Sequence, residues 1–240
     1  MVECRMLDKY MLKIKRRLLK ARLRPIRVFL FHQVSDEFDN NTMFIGDWTQ
    51  TEQFKRNIQF LAEKYEFISL DEAWKKIRKD VFRFRRYAVL TSDDGWASLN
   101  NVLPWLNEQR IPITLFLNPA YFDGEHFREK ATERYLLQKE VERLRVLFDN
   151  VTMGLHGWEH IRCTDQGEEE FRLDVCRSVD AMKELPGYVP FFAYTWGQNN
   201  VMTDKVLKEN NLIPVLIDGG KNYSDFSRIH RELLDGAKLL

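Results

Sequence analysis

Short apolar runs alternate with amphipathic helical stretches along almost the whole sequence, and this alternation limits the fold more than any other feature. Strand-like runs cover residues 27–31, 67–70, 87–91, 113–117, 152–155, 191–194 and 213–217. Helical patterning covers a stretch from Thr51 and then 71–79, 98–109, 128–147, 167–184 and 201–210. From Thr51, the side chains of Phe54, Ile58 and Leu61 share one face, and Asp71 is placed to cap the helix after it. Strands that alternate with helices predict an α/β chain with a mainly parallel sheet. Six or seven such units suit a closed barrel better than an open doubly wound sheet. No GxGxxG or P-loop glycine pattern follows a strand, so nucleotide-binding folds lose ground.

The composition agrees with one sizeable core. Of 240 residues, 44% are hydrophobic and 30% charged, which excludes a disordered chain and a small disulfide scaffold. No apolar run approaches the ~20 residues of a spanning helix, and no signal-peptide pattern opens the sequence. Cys4, Cys163 and Cys176 are an odd set without a CxxC pair, so free thiols in a reducing, cytoplasmic compartment are expected.

The net charge of +1 conceals a division. Residues 1–27 carry ten Lys/Arg against two acids, a net of +8, and the remainder carries 27 against 34, a net of −7. Two units follow: a basic amphipathic helix within 1–24 and an acidic globular domain over 25–240. Leu7, Met11, Ile14 and Leu18 form the apolar stripe of that helix, and Lys9, Lys13, Arg16, Arg17 and Lys20 cover its other faces. Pro25 stops it. Such a helix either packs on the body or lies on an anionic membrane surface at the inner leaflet. The acidic body argues against a nucleic-acid partner.

The ionisable residues gather where a barrel keeps its chemistry. His32, Asp93, Asp94 and His156 each lie at or just past the C-terminal end of a predicted strand. Adjacent carboxylates repel, so the Asp93–Asp94 pair gains from a cation or a proton, and Gly95 permits the sharp turn after it. His156 and His160 have the i,i+4 spacing that puts two imidazoles on one face of a helical turn, within reach of one divalent metal. An Asp and two His leave an open position for water, a second carboxylate can take its proton, and His32 can serve as general acid.

Thr91-Ser92-Asp93-Asp94-Gly95 resembles the TFDDG motif of the polysaccharide deacetylases, the NodB homology or carbohydrate esterase 4 family. His156 to His160 resembles its HSxxH motif, and Phe192-Ala193-Tyr194-Thr195-Trp196-Gly197 its third motif, RxPYG. Phe31-His32-Gln33-Val34 is similar to the YHxV segment of the exopolysaccharide (poly-N-acetylglucosamine) deacetylase branch, as is the shape of Phe54 through Leu70. The resemblance implies a distorted (β/α)7 TIM-like barrel. It implies Asp93 as catalytic base, Asp94, His156 and His160 as metal ligands, and His32 as acid, with His230 the rival for that last role. The metal would be Zn2+, with Co2+ or Ni2+ as alternatives. Tyr194, Trp196, Trp158 and Trp96 are the expected substrate contacts; with Trp48, the tryptophans either stack on sugar rings or pack the rim. His126 reads as a surface residue.

The implied reaction is metal-dependent N-deacetylation of an N-acetylhexosamine in a bacterial surface polysaccharide or its lipid-linked precursor. A backbone N–H of the Tyr194–Gly197 loop is the expected partner of the oxyanion. Three residues depart from the motifs: Gly157 for Ser/Thr, Ser92 for Phe, and Ala193 for the arginine that contacts the catalytic Asp in other branches. Gly157 and Ala193 keep open a silent barrel that binds glycan or a biosynthetic partner. A third reading is a deacetylase or deformylase of a nucleotide- or lipid-linked aminosugar.

Overall fold

The computed structural model describes residues 24–37, 48–79, 83, 85–125, 133–223 and 227–234. The basic helix expected within 1–24, His126 and the side chain of Trp48 lie outside the described residues.

Seven parallel strands close a barrel in the order β1 (Arg27–Phe31), β5 (Tyr87–Ser92), β6 (Ile113–Leu117), β7 (Val151–Leu155), β8 (Tyr188–Ala193), β9 (Ile213–Ile217) and β10 (Ile229–Leu233). Closure runs through β1, which pairs with β10 at Phe29↔Glu232 and with β5 from Arg27↔Ala88 to Phe31↔Ser92. Short β4 (Glu66–Phe67) lies beside the start of β5, and β2 (Gln33–Val34) pairs with β3 (Trp48–Thr49) in a separate ribbon. No described helix is long and apolar enough to cross a membrane.

Side chains alternate across each strand, which produces two apolar layers. On β1, Phe29 and Phe31 face outward toward Phe54, Ile58 and Leu61 of α1 (Thr51–Ala62). Val28 faces inward with Val89, Phe116, Phe191, Ala193, Val215 and Ile229. Helix α2 (Leu70–Arg78) closes the bottom of the interior with Leu70, Ala73, Trp74 and Ile77, and Trp74 meets Phe191 edge-on. The outer layer is completed by α3 (Leu103–Glu108), α4 (Gln138–Leu147), α5 (Glu168–Met182) and α6 (Val201–Glu209). The upper, C-terminal end of the strands is left for the polar residues.

The structure corrects five local expectations. Ser69, not Asp71, caps α2: its hydroxyl accepts the Glu72 amide, and the expected strand over 67–70 ends at Phe67. The helix expected over 98–109 starts with a 3-10 turn over Ala97–Asn101, because Pro104 sets the α-helical start later. Of the long helix expected over 128–147, the described residues are helical over Gln138–Leu147, and Tyr135 is drawn instead into a bridge opposite Trp96. Strand β10 was not expected at all, although Ile229-His230-Arg231-Glu232-Leu233 alternates as a strand should.

Candidate active site

Asp93 follows β5 directly and is fully buried, so its charge needs a partner. The partner is Arg231, also fully buried, which reaches in from β10. Its Nη1 and Nη2 donate to Asp93 Oδ1 and Oδ2 at 2.6 and 2.8 Å. The guanidinium is itself fixed, donating through Nε to the Leu216 carbonyl and through Nη1 to the Thr91 hydroxyl, both at 3.2 Å. It also lies over the Phe116 ring. Ala193 on β8 offers no side chain that could do this, and Arg231 supplies the guanidinium from two strands further round. Burial pushes the Asp93 carboxyl up, but Arg231, His156 and His32 together hold it below the usual carboxylate range.

Asp94 turns the chain in the left-handed region at φ 72°. Its two oxygens are divided: the Trp96 indole donates to Oδ2 at 3.1 Å, and Oδ1 faces both histidines. His160 Nε2 stands 3.1 Å and His156 Nε2 3.5 Å from Oδ1. Burial opposes ionisation here too, yet His160 and His156 bring the Asp94 carboxyl well below its ordinary value. His156, in turn, is lowered by burial but raised overall by Asp93 and Asp94.

The two histidines meet without a helix, contrary to the sequence expectation. His156 continues from β7, and the chain then turns through Gly157 at φ 75° and His160 at φ 57°, bringing the ring centroids to 4.9 Å. Several groups hold this loop. Asn118 Nδ2 donates to the carbonyls of His156 and, at 3.0 Å, of Gly157. The Tyr121 hydroxyl donates to the Glu159 carbonyl, and Asp174 on α5 accepts the Trp158 amide at 3.0 Å. A Cβ at Gly157 would come within 3.3 Å of Asp174, on a backbone that side chains rarely adopt. Asp174 therefore occupies the space beside the position where a motif hydroxyl would sit. Burial pushes its carboxyl up to about 6.

The donor set fits a metal. His156 Nδ1 lies 2.8 Å from the Ala193 carbonyl, which can only accept, so Nδ1 carries the proton and Nε2 presents its lone pair. The ligand atoms of Asp94, His156 and His160 lie within 4.8 Å of one another. Bonds of about 2.1 Å give a tetrahedral edge of about 3.4 Å, close to the 3.1 and 3.5 Å separations from Asp94 Oδ1.

A sequence profile of the family described as polysaccharide deacetylase matches residues 83–215, more than half of the chain. The chain belongs to the polysaccharide deacetylase family. It is therefore a hydrolase of carbon–nitrogen bonds, an N-deacetylase by class. Comparison with curated proteins returned no match. Among solved structures, IcaB from Ammonifex degensii superposes with a TM-score of 0.76 at 18% identity, covering 90% of this chain and 94% of that one. A de-N-acetylase from Aggregatibacter actinomycetemcomitans gives 0.73 at 14%, covering 90% and 99%. The Streptococcus pyogenes deacetylase PplD in complex with acetate gives 0.71 at 15%, covering 88% and 92%. These likenesses establish the NodB-like barrel.

Within this family site, the expected residues are not all together. His32 lies near enough to both aspartates that its charge lowers their pKa values. His230 points away from Arg231 on the same strand and pairs with Asp218 at 2.8 Å. Trp196 is 42% exposed and meets His160 edge-on, and Trp158 lies half-buried in the histidine loop. Trp96 is buried, stacked on Tyr135, and holds Asp94. Tyr194 is buried in the outer layer with its hydroxyl on Asp204, so it does not face the site. The amides of Tyr194 and Gly197 donate to Val215 and Tyr194 carbonyls, which takes both out of the expected oxyanion role. Sequence reasoning missed Arg231 and Asp174. The alternation of β10 and the vacancy left by Ala193 were the available signal for the first; a lone Asp in a charged helix gave none for the second.

Proposed function

We propose that the chain removes the N-acetyl group from an N-acetylhexosamine unit of a bacterial surface polysaccharide or its lipid-linked precursor. The observation that carries this is the buried Asp93, pinned in both oxygens by Arg231 beside the convergent Asp94, His156 and His160. Asp94, His156 and His160 would hold a divalent cation, Zn2+ first for a site of two imidazoles and one carboxylate. When bound there, such a cation supplies Lewis acidity toward the acetamide carbonyl and makes water a better nucleophile.

The remaining steps belong to the chain's own groups. Asp93 accepts the proton of the attacking water through an oxygen that Arg231 keeps ionised and aimed. The Ala193 carbonyl keeps His156 in the tautomer that leaves Nε2 unprotonated. His32 donates a proton to the sugar nitrogen as the C–N bond breaks, giving acetate and a free amine. The YHxV-like setting of His32 supports the exopolysaccharide branch. Arg231 and Asp174 fill the roles emptied at Ala193 and Gly157, and so support an active enzyme over a silent barrel.

The test is acetate release from N-acetylglucosamine oligosaccharides, with and without chelator, in wild type and Asp93→Asn. Chelation and the substitution should each lower the rate by at least about 100-fold. Activity that survives both treatments would overturn the mechanism.

A further inference from the structure

Two tryptophans flank the histidine ligands, and each carries an arginine on its ring. Arg162 Cζ stands 4.9 Å from the Trp196 centroid, and Arg177 Cζ stands 4.5 Å from that of Trp158. Trp196 lies edge-on to His160 at 5.5 Å between centroids, and Trp158 belongs to the loop joining His156 and His160. Trp196 thus meets one proposed ligand directly, and Trp158 lies two positions from each.

Both arginines are exposed, and among the described residues no carboxylate forms an ion pair with either. Their neighbours are treated differently. Arg172, on the same helix as Arg177, pairs with Glu168 and Glu209, and Arg228 pairs with Asp204. Arg162 is thus left charged and outward beside the site, while Arg177 also lies within electrostatic reach of Asp174 on its own helix.

Trp196 is also held at a cost. Its φ is 59°, in the left-handed region that bulky side chains rarely adopt, and 42% of it stays in water. Neither property stabilises the fold; together they present the indole face on which Arg162 rests. Stacking holds the guanidinium plane and leaves its N–H edge for a ligand, a planar fork suited to two oxygens of one oxyanion.

We infer that the substrate carries an anionic substituent, a phosphate or a carboxylate, close to its acetamido group, and that Arg162 seated on Trp196 recognises it. Arg177 on Trp158 supplies a second cation on the same rim. The inference rests on the deacetylase reading for the acetamido group and on the two stacks for the charge.

The test compares three N-acetylglucosamine oligosaccharides of equal length: neutral, bearing a phosphate monoester, and alternating with glucuronate. Binding by calorimetry is measured beside acetate release on the full chain. Wild type should bind one or both anionic probes about tenfold more tightly than the neutral one, and salt should erode the preference. The tighter anionic probe identifies the source of the charge. Arg162→Gln should bring the preference to within about twofold, and Arg162→Lys should restore part of it. Arg143→Gln, on the outer helix α4, should retain it. A wild type indifferent to charge, or a preference that survives Arg162→Gln, overturns the inference. Anion-selective, Arg162-dependent binding without acetate release would uphold the inference and remove the proposed reaction.

Discussion

Replacing Arg231 with methionine removes the only guanidinium among the described residues that touches Asp93, while keeping much of the side-chain volume. The magnitude follows from the burial of the pair. At an effective dielectric of about 20, charges roughly 4 Å apart attract by about 4 kcal/mol, and the desolvation of two ions takes back a comparable amount. The intact pair therefore adds little net stability. Breaking it is different: methionine leaves Asp93 fully buried and uncompensated, which costs about 3–5 kcal/mol. For a chain of this size that is a fall in Tm of roughly 6–20 °C. Asp93→Asn should also destabilise, because Arg231 then keeps its charge without its counterion. The double variant should lose less than the sum of the singles by at least about 2 kcal/mol. The assay is urea and thermal unfolding of chelated protein for all four members of the cycle. In the pH profile of kcat/KM, Arg231→Lys should move the acidic limb to higher pH. Arg231 lowers the Asp93 pKa, and a point charge replaces its two-pronged hold less well. Additive unfolding energies, or an Arg231→Met variant within about 1 kcal/mol of wild type, would refute the reasoning.

His32→Ala should lower kcat by about 100- to 10,000-fold, and His230→Ala, whose ring pairs outward with Asp218, should leave turnover near wild type; kinetics with one substrate distinguish the two. Asp174 supplies a pH signature in stability. Its folded carboxyl titrates at about 6 against an ordinary 3.8, so between those values the folded chain keeps a proton that the unfolded chain has lost. Stability should fall as pH rises through that window, by about 3 kcal/mol in all. Asp174→Asn, which still accepts the Trp158 amide, should gain in Tm over wild type from pH 4.5 to 7.5, and a difference flat across pH would count against the account. The cationic excess of residues 1–27 predicts co-sedimentation of the full chain with phosphatidylserine-containing liposomes that is lost in high salt. Equal sedimentation with neutral liposomes would remove the membrane-surface role.

Much of the candidate site was legible because its residues are local to motifs. Asp93 and Asp94 follow β5, His156 follows β7, and His32 follows β1, positions that strand periodicity alone places at one rim. The spacing of His156 and His160 was legible, but its cause was not. An i,i+4 pair suggests a helix, whereas left-handed turns at Gly157 and His160 bring the rings together. Tyr194 lies in a motif and still faces outward, because the residue after a strand can turn to either layer. Trp96 was expected to meet a sugar and instead holds Asp94.

The sequence by itself determined the parallel α/β architecture, the rim on which the ionisable residues gather and the residue types of the candidate metal site. Those properties follow from periodicity and from contacts between residues close along the chain. Only the tertiary structure decided how the buried Asp93 charge is met. Arg231 lies 138 positions away, on a strand with a weak local signal, and it becomes a neighbour only when β10 pairs with β1 and closes the barrel. The same holds for Asp174 beneath the histidine loop and for the two arginines stacked at the rim. Solvation of a buried charge depends on what surrounds it in space, and no local pattern in the chain encodes that.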